Sequence, residues 1–209
     1  MGQKVNPISM RLQANKEWRS KWFVGKNQYA KYLQNDLKVR KLIQDKFGSR
    51  GAINKVDIER SPNLVTVTVA TAKAGVVIGR GGQGAQEIKA AIEKVYGVPV
   101  RVNIEEVKKP DLYAKLIAEN IAHQIERRMS FRRAMKSASA ATMRAGAKGV
   151  RIELAGRLNG AEMSRREKEV MGSVPLHTIR ANVDYAAARA NFPGAGIIGI
   201  KVWVYKGEN

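Results

Sequence analysis

The chain has 209 residues, 44% of them hydrophobic, so it can fold into one or two domains with buried cores. Its 38 lysines and arginines outnumber its 18 acidic residues and give a formal net charge of +20. With no cysteine and two histidines, the sequence excludes disulfides and thiolate metal sites and leaves little for a histidine-based catalytic centre. A folded chain of this charge predicts a polyanionic partner, with nucleic acid as the leading candidate.

The sequence gives no indication of a membrane, a cofactor or a catalytic centre. No apolar run reaches the roughly 18 residues of a membrane span, and the polar amino terminus lacks the core of a signal peptide. No Walker phosphate-binding pattern occurs, and no cluster of carboxylates suits a pair of metal ions. We therefore expect a cytoplasmic protein that is not an enzyme, binds no cofactor or metal and has no membrane partner.

Residues 1–27 form a basic segment with little hydrophobic periodicity, which predicts an extended arm. Within this arm we assign Lys4 and Arg11 to RNA binding. Three aromatic residues of the arm are open to two interpretations, base stacking or anchoring on protein: Trp18, Trp22 and Phe23.

Residues 28–107 predict one domain with the order α-β-β-α-loop-α-β. The predicted elements are a helix over 29–47 that ends at Gly48, strands over 53–58 and 64–69, a short helix over 74–78, a glycine cluster, a helix that ends at Gly97, and a strand over 100–104. The apolar and polar residues of the second strand alternate, which is typical of a half-buried strand.

The glycine cluster fits two templates. Gly79, Gly81 and Gly84 spell the G-x-G-x-x-G of a dinucleotide-binding turn, whereas Gly79-Arg80-Gly81-Gly82 is the G-x-x-G of a KH domain, which clamps a nucleic-acid backbone. Both need glycine, because a side chain would hold phosphate away from the backbone N–H groups at the helix start. No strand–helix–strand alternation follows, so the context favours KH over a dinucleotide fold. A turn without any ligand is the third interpretation.

Residues 108–209 predict a second domain, in which two helices pack on a mostly antiparallel sheet. We expect Asp111 to cap a long helix that runs to about Met129, and a second helix over about 130–145. Strand-like runs lie at 150–154, 183–187 and 197–205. The segment 162–170 fits either a charged edge strand or a short helix. The predicted fold class is α+β in both domains.

The second helix of this domain is strongly basic. From Arg127 to Arg151 there are eight cations and no carboxylate. A solvated charged face is the ordinary interpretation of such a run, but solvated helices normally mix both signs. We therefore assign nucleic-acid binding to the basic residues in and beside this helix, which are Arg128, Arg132, Arg133, Lys136 and Arg144.

The glycine loop, in the order αββααβ, resembles a type II KH domain. Six segments are similar to the bacterial family of small-ribosomal-subunit protein three: 2–7, 126–136, 146–149, 156–162, 174–180 and 199–208. That family usually has two basic residues in the loop, where this chain has Arg80 and Gly81, so the resemblance implies a weaker phosphate grip here.

The resemblance implies a monomeric protein in the head of the small ribosomal subunit, bound to 16S-type small-subunit rRNA. It also implies that the chain lines the channel by which mRNA enters, with Arg132, Arg133 and Lys136 gripping and helping to unwind mRNA. Ribosomal proteins ten and fourteen would be its neighbours. A free KH-type RNA chaperone or regulator is the alternative, and a nucleotide-dependent enzyme is the least favoured one.

Overall fold

The computed structural model describes residues 4–48, 50–194 and 196–208. The chain divides into two compact units. The glycine-loop unit comprises Trp18–Lys108, and the two-helix unit combines the chain before Trp18 with the chain after Lys108. Within the described ranges, no helix combines the length and the apolar character needed to cross a membrane.

Among the described residues, the two units contain six α-helices and eight β-strands. The helices are α1 (Pro7–Met10), α2 (Lys26–Phe47), α3 (Ala74–Ile78), α4 (Gln83–Tyr96), α5 (Ala114–Glu126) and α6 (Phe131–Arg144). The strands are β1 (Ser20–Lys21), β2 (Ile53–Arg60), β3 (Val65–Thr71), β4 (Val100–Glu106), β5 (Gly149–Gly156), β6 (Arg165–Gly172), β7 (Ala181–Phe192) and β8 (Gly196–Glu208).

The glycine-loop unit is a four-stranded sheet in the order β1-β2-β3-β4. Strands β2 and β3 are antiparallel, while β3 and β4 are parallel and are connected through α3 and α4. Because side chains alternate along a strand, Val65, Val67 and Val69 reach the same core as Ile43 of α2 and Ile88 of α4. The predicted α-β-β-α-loop-α-β order is confirmed, including a short helix before the glycine cluster.

A buried ion pair joins four segments of this unit. Asp36 of α2 is 2% exposed and pairs with Arg60 of β2. Its carboxylate also accepts hydrogen bonds from Ser20 Oγ at 2.9 Å, Trp22 Nε1 at 2.9 Å and the Tyr96 hydroxyl at 3.0 Å. Burial first, and then the adjacent carboxylate, raise the pKa of Tyr96, so its hydroxyl remains a donor. Trp22 therefore anchors its segment on protein.

The two-helix unit is an antiparallel sheet in the order β6-β5-β8-β7 with α5 and α6 on one face. Its core lies between the helices and the sheet and includes Ile121, Phe131, Ile152, Leu154 and Ile200. The predicted two-helix, antiparallel architecture is confirmed. The ambiguous segment 162–170 contributes to the edge strand β6 and not to a helix.

Asp111 does not cap the first long helix, contrary to the sequence prediction. It lies in a separate 3₁₀ turn, Pro110–Leu112, and extended backbone at Tyr113 separates that turn from α5. The N–H of Ala114 instead donates to Asp184 Oδ2 of β7 at 3.0 Å. The helix also ends earlier than predicted, since Arg128 has a φ of +62°, a conformation that interrupts a right-handed helix.

The segment predicted as an extended arm is also different in the structure. Residues 4–17 belong to the two-helix unit and include α1, where Asn6 Oδ1 accepts a hydrogen bond from the Ile8 N–H at 2.9 Å. Residues from Trp18 onward belong to the other unit, where β1 pairs with β2. A four-residue helix is too short to produce a periodic pattern. Residues 1–3 of the predicted arm lie outside the described residues.

Asp36→Asn should lower the free energy of unfolding by about 3–5 kcal/mol, because it leaves the buried Arg60 guanidinium without its counter-ion. Denaturant titration followed by tryptophan fluorescence measures this loss. The double variant Asp36→Leu/Arg60→Met is the control, since it removes both charges, and it should be more stable than Asp36→Asn. A double variant that loses the sum of the two single losses would contradict the dependence of Arg60 on Asp36.

Candidate nucleic-acid interface

The glycine loop needs its glycines for backbone conformation. Gly79, Gly81 and Gly82 have φ values of +73°, +60° and +81°, in the left-handed region that side-chain-bearing residues avoid. A Cβ on Gly79 would lie 3.1 Å from the Gly84 nitrogen, whereas nothing lies within 4 Å of a Cβ on Gly81 or Gly82. Gly79 is therefore required for packing, and the outer side of the loop is open.

Gly84 explains the third glycine of the motif without a dinucleotide. A Cβ at Gly84 would lie 2.6 Å from the Val77 carbonyl oxygen, so this glycine permits the close approach of α4 to α3. The run before the loop is the helix α3 and not the strand that a dinucleotide-binding turn requires. The G-x-G-x-x-G match is therefore a helix-pair motif in this fold.

The amino terminus of α4 opens onto this loop. Its N-cap residue is Gly82, and no side chain caps the helix. The first-turn N–H groups of a helix have no partner within the helix and carry partial positive charge. Arg80 is exposed and is the one cation of the loop. Backbone amides, one guanidinium and an unobstructed approach together suit a phosphate group.

The basic helix α6 has one buried face and one exposed face. Ala134, Met135 and Ala138 are buried, whereas Arg132, Arg133 and Lys136 are exposed. The buried face packs into the core of the two-helix unit, so the three cations are attached to a fixed scaffold. Arg133 and Lys136 form no ion pair with any residue that the structure describes.

The predicted residues at the two ends of α6 are positioned differently. Arg128 is exposed in the connection from α5, in left-handed conformation, close to the start of the helix. Arg144 is exposed in the last turn, about 12 Å beyond Lys136 along the axis at 1.5 Å per residue. The cations of the helix therefore concentrate at its amino-terminal half, and Arg144 is separate from them.

Arg165 of β6 lies beside α6, although no sequence pattern marks it as a site residue. Its guanidinium lies 5.8 Å from the centre of the Phe131 ring, and that of Arg132 lies 5.6 Å from the same ring. Glu167 lies between them, 3.3 Å from Arg165 Nε and 3.5 Å from Arg132 Nε. From sequence, segment 162–170 fits either a strand or a helix, so the direction of the Arg165 side chain could not be predicted. The position of Arg165 beside α6 follows once the segment is known to be the strand β6.

Arg11 is not available to RNA, so its assignment as an RNA ligand is wrong. Its side chain is completely buried. The guanidinium donates to five carbonyl oxygens, at distances of 2.7–3.2 Å, which belong to Pro7, Pro175, Leu176, Thr178 and Ala181. Burial lowers the pKa of Arg11, but an arginine starts so high that it remains charged at neutral pH. Arg11 therefore holds α1 against the chain around 175–181.

The other arm residues remain at the surface. Lys4 is half-exposed, 3.4 Å from Glu153 Oε2 and 5.4 Å from the Trp203 ring centre. Trp18 is 56% exposed and Phe23 is 97% exposed, so base stacking by these two side chains stays a prediction. His123, by contrast, lies 3.3 Å from Glu126 in the same helix and forms a local pair there.

Two family models match the chain. The model described as KH domain matches residues 38–112, and the one described as ribosomal protein S3, C-terminal domain, matches residues 121–204. The first match contains the glycine loop, and the second contains α6. Fold and site together define an RNA-binding protein with a KH domain and a ribosomal C-terminal domain.

Relatives aligned over the whole chain identify the family. The chain is 48% identical over 208 residues to the small ribosomal subunit protein uS3 of Shouchella clausii, covering 100% of this chain and 94% of the relative. It is 47% identical to uS3 of Dichelobacter nodosus, covering 100% and 87%, and 49% identical to uS3 of Xanthomonas oryzae, covering 100% and 84%. The chain belongs to the ribosomal protein S3 family, whose members are small-subunit ribosomal proteins and not enzymes.

Arg11→Met should destabilise the two-helix unit without weakening its contact with RNA. The change leaves several buried carbonyl oxygens without a donor, and each such group costs about 1–3 kcal/mol. We expect a clear loss in the free energy of unfolding, measured with denaturant. The salt dependence of RNA binding by the folded variant should be that of the unchanged protein. A smaller salt slope would show that Arg11 contacts phosphate.

Proposed function

We propose that the protein is a structural constituent of the head of the small ribosomal subunit in the cytoplasm. In this role it binds 16S-type rRNA as a monomer and lines the channel by which mRNA enters. The observation that carries the proposal is the acid-free, exposed amino-terminal half of α6, fixed by its buried face in a chain of the ribosomal protein S3 family. Such a surface attracts a polyanion. Because the buried face of α6 packs in the core, the exposed cations stay in a fixed position.

The glycine loop is proposed to hold rRNA. Open space around Gly81 and Gly82 lets a phosphate reach the uncapped start of α4, and Arg80 adds a charge-assisted hydrogen bond. Because Gly81 carries no charge where the family usually has a basic residue, this contact depends more on backbone N–H groups than on side chains.

The exposed cations of α6 are proposed to hold mRNA. Arg132, Arg133 and Lys136 supply charge without any base-specific geometry, which suits a strand of changing sequence. Unwinding by this surface needs no nucleotide hydrolysis, because a protein that binds single strands as they open shifts the equilibrium away from the hairpin.

A stripe of exposed apolar residues on α2 suits protein neighbours, proposed to be ribosomal proteins ten and fourteen. Tyr29, Leu33 and Leu37 are spaced by four residues, so they share one face of the helix, and each is more than 40% exposed. Exposed apolar patches of this kind mark sites of protein association. Phe23, three residues before the start of α2, is almost fully exposed as well.

The function is tested first by cosedimentation with small subunits in high salt. A structural constituent remains bound, because its contacts include more than phosphate charge. A free KH-type chaperone or regulator dissociates, because its binding depends mainly on counter-ion release.

Replacing Arg132, Arg133 and Lys136 by alanine should leave assembly intact and slow the translation of structured messages. Alanine has the highest helix propensity. Among the described residues, the one ion pair that is lost, with Glu167, is at the surface and worth about 0–1 kcal/mol. Mutant ribosomes should translate an unstructured message at the normal rate and a message with a stable downstream hairpin more slowly. Failure to assemble, or equal rates on both messages, would reject the mRNA role.

Gly81→Asp should weaken rRNA binding, while Gly81→Asn should have little effect. Asparagine and aspartate both tolerate left-handed backbone, nothing obstructs a side chain here, and the pair differs only in charge. Gly81→Lys should bind more tightly, since it adds a cation. Affinity is measured on an rRNA fragment by filter binding. Equal affinities for Asp and Asn would show that the loop does not contact phosphate. Gly79→Asp is unsuitable, because its side chain would disturb Gly84.

A further inference from the structure

The sheet of the two-helix unit has a second face, away from α5 and α6. Ile152, Leu154 and Ile200 point into the core beneath the helices, so alternate residues of the same strands point to the opposite side. Four exposed cations from three strands lie on that side, and we call them the open-face cations: Arg166, Lys168, Arg189 and Lys201.

The strand register separates the open-face cations from one another. In the strand register, Lys168 and Lys201 are each directly opposite Glu153 of the interior strand β5. Arg166 is opposite Ala155, and Arg189 is opposite Gly199. Like charges directly opposite each other on neighbouring strands would destabilise the sheet. No two of these four cations are placed in that way. The sheet can therefore hold four positive charges on one face.

Glu153 lies in the middle of this face, and its carboxylate already forms ion pairs with two other residues. It lies 3.4 Å from Lys4 Nζ and 3.3 Å from an Arg151 guanidinium nitrogen. Burial by itself would raise the pKa of Glu153, but these two cations lower it below the ordinary value. The open-face cations form no ion pair with any residue in the described ranges, so their charge is available to a ligand.

Small residues lie beside the open-face cations on the surface of the sheet. Ala155 and Gly199 lie between Arg166 and Arg189 in the register, and Ala187 lies opposite Lys201. Their short side chains leave the sheet surface accessible. A groove of about 360 Å³ borders the same region and is lined in part by Lys4, Arg166 and Lys201. A phosphate backbone can therefore reach the lysines and arginines from more than one side.

Protection of sheet edges does not account for this arrangement. Charged residues on edge strands prevent edge-to-edge association, which would explain the cations of β6 and β7. Lys201 is on β8, an interior strand of the sheet, where no edge needs protection. A face that served only solubility would mix charges of both signs.

We propose that the open-face cations form a second RNA-binding surface, which holds the phosphate backbone of ribosomal RNA. It lies on the side of the sheet opposite α6 and is therefore separate from the α6 surface. Contacts of lysine and arginine to phosphate fix position without reading sequence. The inference rests on the proposed function in taking ribosomal RNA as the ligand.

The absence of cysteine allows a direct test in assembled subunits. Ala187→Cys places one thiol on the floor of the open face and keeps all four cations, while Ser137→Cys places one on the exposed side of α6. An iron chelate attached to each thiol cleaves nearby RNA. We expect the Ala187 probe to cleave small-subunit rRNA at positions that the Ser137 probe does not reach.

The outcomes separate this inference from the proposed function. If neither labelled nor unlabelled protein enters small subunits, the proposed function fails. If both probes enter subunits and the Ala187 probe cleaves no rRNA, the second surface is overturned and the ribosomal role stands. Cleavage confined to added mRNA overturns the assignment to rRNA. Protection of the Ala187 thiol by a protein, without RNA cleavage, also overturns the proposal.

A charge variant measures the number of contacts. Changing all four open-face cations to glutamine should reduce the slope of log affinity against log salt by about 3, since each lost phosphate contact contributes roughly 0.7–0.9. The matched control removes four exposed lysines from α2 of the other unit, Lys26, Lys31, Lys38 and Lys41. Equal slopes for the two variants would show a general charge effect and overturn the proposal.

Discussion

Repulsion among its own cations constrains every part of this protein. A net charge of +20 favours expansion of the chain, and there are too few carboxylates to neutralise the surface. The structure places two of them where a buried or partly buried cation needs a counter-ion, Asp36 against Arg60 and Glu153 beside Lys4 and Arg151, whereas Glu167 forms a surface pair beside α6. Because these carboxylates already pair with cations of the chain, other exposed cations on α6 and on the open sheet face keep their charge available.

Local patterns predicted most of the fold because most elements bury one regular face. The alternating valines of β3 and the alanines of α6 have the periods of a strand and a helix, and both reach the cores that those periods imply. The edge strand β6 was ambiguous, since its charged residues remain outside the core and carry no periodic signal. Elements that depend on distant partners were predicted less well.

Arg11 shows why a site residue can be misassigned from sequence. In a basic segment, a structural arginine and an RNA ligand have the same local signature. What distinguishes Arg11 is a set of carbonyls mostly 164–170 positions later in the chain, which no local pattern reveals. Asp111 is the same case for helix capping, because the true acceptor at the start of α5 is Asp184, which is 70 positions away from Ala114.

The glycine motif was recognisable but had more than one physical cause. Gly84 serves the contact of α3 with α4, whereas Gly81 and Gly82 leave open space on the outer side of the loop. A sequence pattern records only that glycine occurs, so the two causes are indistinguishable until the backbone is seen. The part of the motif that is open to a ligand is therefore the G-x-x-G, whereas its third glycine serves packing.

The RNA contacts proposed for the two units differ in their physical basis. The glycine loop presents backbone N–H groups, so its contact is short-ranged and depends on close approach. The cations of α6 act over about a Debye length of 8–10 Å in moderate salt and attract RNA before any close contact forms. With the proposed second set of cations on the far side of the same sheet, the two-helix unit would bridge separate RNA segments. Bridging suits a protein held at one place in a large RNA assembly, because a protein that slides along one strand needs a single continuous surface.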